Sequence, residues 1–399
     1  MDAVFDNPNY MISKFLLRFL GLWPTQSRLR KNLSFLAYTF IIFSLVIPIF
    51  FGMLNNKTDL VIIIEDITGI LYLLSIYTKY LSFYVFEERM IRVYNQLVKD
   101  LEDITIKEEK AILRKHARQG RFLSIIYVGY GAIATMVFNS TPYIPLILDK
   151  VFPLNETRDL LFPYYADYYF IDAVEYHYTL FTFHGGMVIC AATLGATAVD
   201  SMFVVNVKHN CGLFNIVCYR LENIGKSALS KDHALPTAHA SDEVVYREMK
   251  SVFISHRNSI ESSQIIQETL SGSFLFIFAA AMAAIAMLVF DIMLNLQKPI
   301  QIIRIGVLLV GVYLSIFYMN YIAQQIMNDS EKVNEAACNS YWYHCSPSAQ
   351  KLVQLALLRS QAPIILSAGG VFDMNLATFA SMIKSSASYA TVLLQMQQK

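Results

Sequence analysis

The sequence predicts an all-α integral membrane protein with seven transmembrane helices. Of its 399 residues, 55% are hydrophobic and only 16% are charged, whereas about a quarter of the residues in an ordinary soluble protein are charged. Seven apolar stretches are long enough to cross a bilayer as helices, which takes about 20 residues each. The net charge of +1 gives no reason to expect a nucleic acid as partner.

The segments outside the seven spans differ in character. The segment 1–34 is predicted to be cytoplasmic with an interfacial helix, in which Phe15, Leu16 and Phe19 share one face. The insert 222–250 reads as a mobile cytoplasmic loop. Spans four, five and seven exceed the bilayer by ten residues or more, so their helices should project into water and pack on one another. The predicted spans are 35–54, 60–84, 121–147, 168–207, 257–294, 299–328 and 364–397.

The distribution of basic residues predicts the orientation of the spans. The segments on the amino-terminal side of the membrane carry 24 lysines and arginines, and those on the opposite side carry 5. Because basic loops stay in the cytoplasm, the amino terminus should be cytoplasmic and the carboxyl terminus extracellular. The sequons at Asn56 and Asn155 then fall outside, so both are predicted glycosylation sites. The five cysteines lie in span four or in cytoplasmic segments, which leaves no extracellular disulfide framework.

We expect no enzyme activity, no cofactor and no metal site. A phosphate-binding glycine loop is absent from the sequence, and the reactive side chains lack the spacing or the companion motifs of known sites. These groups are Ser381 with Lys384 in an S-x-x-K pattern, Glu175 with His177 and His184, and Cys338 with His344 and Cys345.

The last span carries a polar stripe. Small and polar residues recur there at intervals of three and four, which places them on one face of an α-helix. Polar groups are costly against lipid, so this face should meet protein or water. It could form a helix–helix contact, or several copies of the helix could surround an axis and line a narrow pore. The stripe consists of Asp373, Ala377, Ser381, Lys384, Ser388, Thr391 and Gln395.

The carboxyl-terminal seventy residues contain four motifs in a fixed order. They are the Trp342-Tyr343 pair, the R-x-Q-x-P turn that starts at Arg359, the Ala368-Gly369 hinge and the K-S-S-x-S-Y-x-T-x-L run. They occur within "EAACNSYWYHCSPSAQKLVQLALLRSQAPIILSAGG" and "FDMNLATFASMIKSSASYATVLLQM". In these motifs, and in seven spans with the amino terminus inside, the chain resembles the insect odorant receptor family.

The resemblance implies an odorant-gated, non-selective cation channel in the plasma membrane of olfactory sensory neurons. Such subunits bind a small volatile and join a shared co-receptor in a heterotetramer within the lipid bilayer. The seventh helix, in the segment 364–399, is implied to line the central pore. The implied gate residues are Val392, Gln395 and Met396, with Ser388 and Thr391 as further pore-lining residues.

The resemblance also assigns roles to the other two regions of the chain. The segment 329–363 is implied to be a cytoplasmic anchor, in which Trp342 and Tyr343 hold the subunits together. Within 35–328, the ligand pocket is implied to lie in the outer half of the membrane between spans two, three, four and six.

We expect this pocket to be apolar and aromatic, with few hydrogen-bonding groups. Glu175 and Arg304 are the charged exceptions, and we expect them to pair with each other. The predicted lining is Ile67, Thr68, Leu71 and Tyr72 of span two, Thr135, Met136 and Asn139 of span three, Tyr176, Thr179 and Phe183 of span four, and Ile305, Leu308 and Leu309 of span six.

Three other classes of membrane protein fit the sequence less well. A G-protein-coupled receptor has seven spans but an extracellular amino terminus, and the sequence has neither a D-R-Y nor an N-P-x-x-Y motif. A gustatory receptor of the same channel superfamily fits the topology, but the "SYWYHC" and "KSSASY" runs favour the odorant branch. A transporter would lead us to expect repeated halves or broken helices, which the sequence does not show.

Overall fold

The computed structural model describes residues 1–55, 60–153, 158, 164, 166–168, 178–224, 238–297, 299–344 and 346–397. Its helices are α1 (Asp2–Phe5), α2 (Met11–Phe19), α3 (Arg28–Asn55), α4 (Leu60–Val85), α5 (Glu87–Asp103), α6 (Lys107–Ser140), α7 (Ile144–Val151), α8 (Tyr178–Asn223), α9 (Ala238–Leu294), α10 (Pro299–Cys338), α11 (Pro347–Ser360) and α12 (Leu376–Gln397). Single 3-10 turns lie at Thr141–Tyr143 and Trp342–His344. The strands β1 (Ser367–Ala368) and β2 (Phe372–Asp373) pair antiparallel.

The seven predicted spans correspond to α3, α4, α6, α8, α9, α10 and α12, so the all-α membrane fold is confirmed. A helix satisfies all its backbone hydrogen bonds internally, which the bilayer requires of any spanning segment. By length and composition, five stretches within the described residues could cross a membrane: Arg28–Asn55, Lys107–Val151, Tyr178–Asn223, Val245–Leu294 and Gln301–Cys338. The helices α4 and α12 supply spans two and seven.

Three helices are much longer than the bilayer is thick. The helix α9 has 57 residues and is therefore about 86 Å long, against a hydrocarbon core of about 30 Å. The helices α8 and α10 have 46 and 40 residues. The predicted projection of spans four and five is therefore confirmed. The predicted projection of the seventh span was wrong, because α12 begins only at Leu376. The third long helix is instead the sixth span, α10.

The seventh span is shorter because its first twelve residues, 364–375, contain the hairpin of β1 and β2 and no helix. Gly369 and Gly370 adopt φ values of +63° and +70°, a left-handed conformation that suits glycine and turns the chain between β1 and β2. The side chain of Gln267 on α9 holds this hairpin, donating to the Ser367 carbonyl at 2.8 Å and accepting from its N–H at 2.7 Å. The helix then starts at Leu376, so Asp373 does not belong to the helical stripe.

The predicted loop at 222–250 is shorter than expected. The helix α8 continues to Asn223, and α9 begins at Ala238. The residues 225–237 lie outside the described part of the chain. The polar composition of 222–250 predicted a loop. The helix α9 nevertheless includes the residues from Ala238 onward, because a helix that projects into water can carry a polar surface.

The amino-terminal segment is held by an aromatic cluster. The Trp23 side chain is fully buried, stacks on Tyr94 of α5 at 5.7 Å and meets Phe5 edge-on at 5.1 Å. The predicted apolar face of α2 is divided between two environments. Leu16 packs inward, whereas Phe15 is 66% exposed. The side of α2 that carries Phe15 is therefore the one available to the membrane interface.

The helix α8 lies at the centre of the fold. It packs against α2, α3, α4, α6, α9 and α10, and every residue from 197 to 214 is buried. A helix buried on all sides must satisfy its polar groups with partners from its neighbours. Asp200 lies in this stretch, and its partners define one end of the cavity described next.

Candidate ligand cavity and pore helix

A cavity of about 200 Å³ lies between α4, α6, α8, α9 and α10. This volume is below the roughly 300–1,000 Å³ of pockets for drug-sized molecules, so the cavity suits a smaller ligand. It extends along α4 from Glu65 to Lys79, which is about 21 Å at 1.5 Å per residue. It is therefore elongated, with one end towards the outside and the other in the cytoplasmic half of the membrane.

One wall of the cavity is formed by small side chains of α9. Ala280, Ala281 and Ala284 line it, while their neighbours Ala279 and Ala283 point away and are exposed. The opposite wall has Gly131 of α6. Small residues on both walls leave the space that larger side chains would fill, so we expect the volume of the cavity to depend on them.

The outer end of the cavity is charged. Arg304 of α10 forms an ion pair with Glu65 of α4, and both side chains line the cavity together with Asp291 of α9. Glu175 lies outside the described residues, so its predicted pairing with Arg304 stays a prediction. Glu65 was not among the residues predicted to line the pocket.

The inner end of the cavity is a buried polar cluster. The Lys79 Nζ donates to both carboxylate oxygens of Asp200, at 2.9 and 2.8 Å. The Tyr127 hydroxyl donates to Asp200 Oδ2 at 2.8 Å and lies 3.5 Å from Ser315 Oγ, and its ring stacks on Tyr318 at 4.2 Å. Lys79, Tyr127 and Ser315 line the cavity, and Asp200 lies behind them. Side chains of α4 and α6 thus bind one carboxylate of α8, and α10 joins the cluster through Tyr127.

The hydroxyl groups along the middle of the cavity bond mostly to each other or to backbone. Thr135 and Thr193 are 2.7 Å apart, and Ser75 donates to the Leu71 carbonyl at 2.6 Å. Tyr72 lines the cavity with 40% of its surface exposed. The middle of the cavity is therefore mainly apolar in its interactions, and the strongest hydrogen-bonding groups lie at the two ends.

The predicted pocket residues divide between the cavity and other environments. Met136 and Phe183 are 71% and 61% exposed on the outside of the bundle, and Asn139 instead donates to the Gly186 carbonyl at 3.3 Å. Residues next to each other in a helix point about 100° apart, so Thr135 lines the cavity while Met136 faces outward. Tyr176 lies outside the described residues. The predicted residues that line the cavity are Thr68, Leu71, Tyr72, Thr135, Ile305 and Leu308. Those that do not are Ile67, Met136, Asn139, Thr179, Phe183 and Leu309.

Two parts of the cavity were not predicted from the sequence. The alanine wall of α9 was read as an ordinary span, although a run of small residues in a membrane helix favours close approach or open space. Lys79 lies within the predicted second span, and no role was predicted for it. An ionisable residue inside a membrane should be treated as functional until its partner is known, and that rule would have singled out Lys79 and Asp200.

The helix α12 has two different faces. Met382, Ser386 and Ala390 are buried, because this face packs on α9 and α10. The polar stripe lies on the opposite side. Its members are all exposed: Ala377, Ser381, Lys384, Ser388, Thr391 and Gln395, together with Asp373 in β2.

The predicted gate and interface residues whose side chains are described are exposed or half-buried in the single chain. Val392 beside the stripe is 50% exposed, and the side chain of Met396 lies outside the described residues. Tyr343 is 57% exposed, whereas Trp342 is half-buried against the core. The predicted glycosylation sites Asn56 and Asn155 also lie outside the described residues.

The described residues contain no group of three or more metal-binding side chains. His184 bonds instead to Ser44 Oγ at 3.0 Å and to the Tyr168 hydroxyl at 2.8 Å. Cys338 is exposed and lies 4.0 Å from Asn334 Oδ1. These side chains therefore have ordinary polar surroundings.

Comparison with known proteins gives one consistent result. The family described as 7tm Odorant receptor matches residues 60–387. The chain is 21% identical over 383 residues to odorant receptor 9a of Drosophila melanogaster, covering 94% of this chain and 92% of that protein. It is 21% identical over 315 residues to putative odorant receptor 92a of the same organism, covering 77% and 72%.

The fold has a counterpart of known structure. The insect olfactory receptor OR5 from Machilis hrabei in complex with eugenol superposes with a TM-score of 0.78 over 97% of each chain, at 16% identity. The structure of the same receptor described without eugenol gives 0.78, over 99% of this chain and 100% of that one. At this identity the likeness establishes a shared fold.

Proposed function

Because the chain belongs to the 7tm odorant receptor family, we propose that it is an odorant-tuned subunit of a ligand-gated, non-selective cation channel. In this proposal a small volatile binds in the cavity, and a pore opens in a heterotetramer formed with a shared co-receptor. The site of action would be the plasma membrane of olfactory sensory neurons.

The observation that carries the channel proposal is the exposed polar stripe of α12. Six polar or small residues on one face of a membrane helix are exposed in the single chain, while the opposite face packs on α9 and α10. Hydroxyl and amide groups facing lipid would be unfavourable. Copies of α12 around an axis would bring these groups together at water, with Gln395 and Val392 towards the extracellular end.

The cavity supports the ligand-binding part of the proposal. A neutral molecule in its apolar middle would be stabilised by about 25 cal/mol for each Å² of apolar surface that it buries. A ligand small enough for about 200 Å³ therefore reaches about micromolar affinity. To open the channel it must bind the open state more tightly than the closed one.

The proposed channel can be tested by current measurements in cells. Co-expression with an odorant co-receptor and application of a panel of volatiles should give inward cation current that persists when G proteins are inhibited. Current that disappears with the inhibitor would instead support G-protein coupling and overturn the channel proposal.

A matched pair of α9 variants connects that current to the cavity. Ala284→Phe places a large ring into the cavity and should raise the half-maximal odorant concentration tenfold or more. Ala283→Phe adds the same ring to an exposed neighbouring position and should leave potency within about twofold. Equal effects of the two variants would show that the ligand binds elsewhere.

Assembly is expected to depend on the anchor segment. Tyr343, Leu355 and Leu358 are 57%, 49% and 66% exposed in the single chain, and such apolar groups outside the bilayer need a partner surface. Trp342→Ala should lower co-purification with the co-receptor several-fold, because the half-buried ring supports Tyr343, with ring centroids 6.3 Å apart. As a control, the Trp342→Ala subunit purified alone should be monodisperse, which would show that the variant still folds. An unchanged yield of the complex would contradict the anchor assignment.

A further inference from the structure

The inner end of the cavity has a chemistry that its apolar middle does not share. Lys79 of α4, Tyr127 of α6 and Ser315 of α10 line that end, and we call these three residues the cavity floor. Their positions are set by Asp200 of α8, which is fully buried behind them and binds Lys79 and Tyr127 directly. The floor is therefore a prearranged group of polar side chains.

The number of hydrogen-bond donors at the floor exceeds what Asp200 uses. A lysine ammonium has three N–H donors. Within the described part of the chain, the hydrogen-bond partners of Lys79 Nζ are the two oxygens of Asp200. The third donor is available to the cavity that Lys79 lines. The Tyr127 hydrogen goes to Asp200, so Ser315 is the donor in its 3.5 Å contact with Tyr127. That contact is long for a hydrogen bond between hydroxyl groups, so Ser315 can turn its one hydrogen to a ligand oxygen and supply the second donor.

The charge at the floor selects among ligands. The Lys79 charge is balanced by Asp200 at 2.8 Å, so a carboxylate gains little attraction and also meets the aspartate charge. An amine cation would lie beside the lysine ammonium. The oxygen of a neutral molecule can accept hydrogen bonds from Lys79 and Ser315 without repulsion from either charge of the ion pair.

We propose that the cavity floor is a subsite for the acceptor oxygen of a neutral, elongated ligand, such as an unbranched ketone. Its hydrocarbon tail then lies along Ala280 and Ala284 towards the outer end. This inference rests on the proposed function, because it names the chemical class of the ligand for the same cavity.

The test compares ligands that differ only at the oxygen. The probes are unbranched 2-ketones of six to ten carbons and the corresponding 2-methyl-1-alkenes, in which a methylene group replaces the oxygen. Since a hydrogen bond from a charged donor is strong, wild-type protein should bind the better ketones about tenfold or more tightly than their alkenes. Ketone-induced thermal stabilisation of the purified chain and odorant-evoked current are both measured.

Two variants remove the floor in different ways. Lys79→Met/Asp200→Leu deletes both charges together, which avoids leaving one of them buried without a partner, and should bring the ketone-to-alkene preference close to one. Ser315→Ala keeps the ion pair and should reduce the preference about threefold. The matched control, Glu65→Leu/Arg304→Met, deletes the ion pair at the opposite end and should retain the preference.

The outcomes separate this inference from the channel proposal. Ketone stabilisation without any odorant-evoked current would leave the floor assignment intact and contradict the channel. Current or stabilisation with no preference for ketones over alkenes in wild-type protein would overturn the floor assignment alone. It would also be overturned if no ketone stabilised the chain, or if the preference survived in Lys79→Met/Asp200→Leu.

Discussion

Replacing Gln395 by lysine is expected to reduce cation current at least tenfold in channels that still assemble. Gln395 is exposed near the end of the α12 stripe, where the proposed pore is narrow. A full positive charge about 5 Å from a permeating cation, at an effective dielectric constant of about 20, opposes its passage by about 3 kcal/mol. Whole-cell current and single-channel conductance measure this effect.

The opposite charge provides the control for that prediction. Gln395→Glu should retain current and raise the permeability of calcium relative to sodium, because a carboxylate attracts the divalent ion more strongly. Gln395→Asn should resemble wild type. If lysine and glutamate changed the current in the same direction, a packing defect would explain the data better than a position in the pore.

Replacing Arg220 by methionine is expected to destabilise the cytoplasmic ends of the long helices by about 3–5 kcal/mol. Arg220 of α8 binds Glu109 of α6 through two hydrogen bonds, at 2.6 and 2.8 Å, and the Glu109 side chain is 0% exposed. The same guanidinium donates to Ser255 of α9 at 2.8 Å. Its loss leaves a carboxylate buried without its counterion, and the apparent unfolding temperature in detergent should fall by several degrees.

Two further variants make this prediction specific. Arg89→Met removes a pair with Glu268 at 4.0 Å, in which both partners are about one-third exposed or more, and should change the unfolding temperature little because solvent screens such pairs. Adding Glu109→Gln to Arg220→Met should recover part of the loss. A normal unfolding temperature for Arg220→Met would show that Glu109 reaches solvent or another cation.

Much of the architecture could be predicted because it depends on local sequence. Apolar runs of bilayer length identified the spans, and the recurrence of small and polar residues after Leu376 identified the two faces of α12. The start of that helix could not be placed in the same way. The residues before Leu376 are apolar enough for a span, but Gly369 and Gly370 turn the chain, and Gln267, about one hundred residues away, holds the turn.

The sequence by itself determined the fold class, the number of spans and the polar face of the last helix, because hydropathy and helical period are properties of consecutive residues. Only the tertiary structure decided which charges pair and which helices enclose the cavity. Lys79 and Asp200 are 121 residues apart, and Arg304 and Glu65 are 239 apart. Their pairing depends on which helices are neighbours and on how each is rotated. Lipid does not drive apolar helices together as water does, so close packing and buried polar contacts between distant segments make that choice.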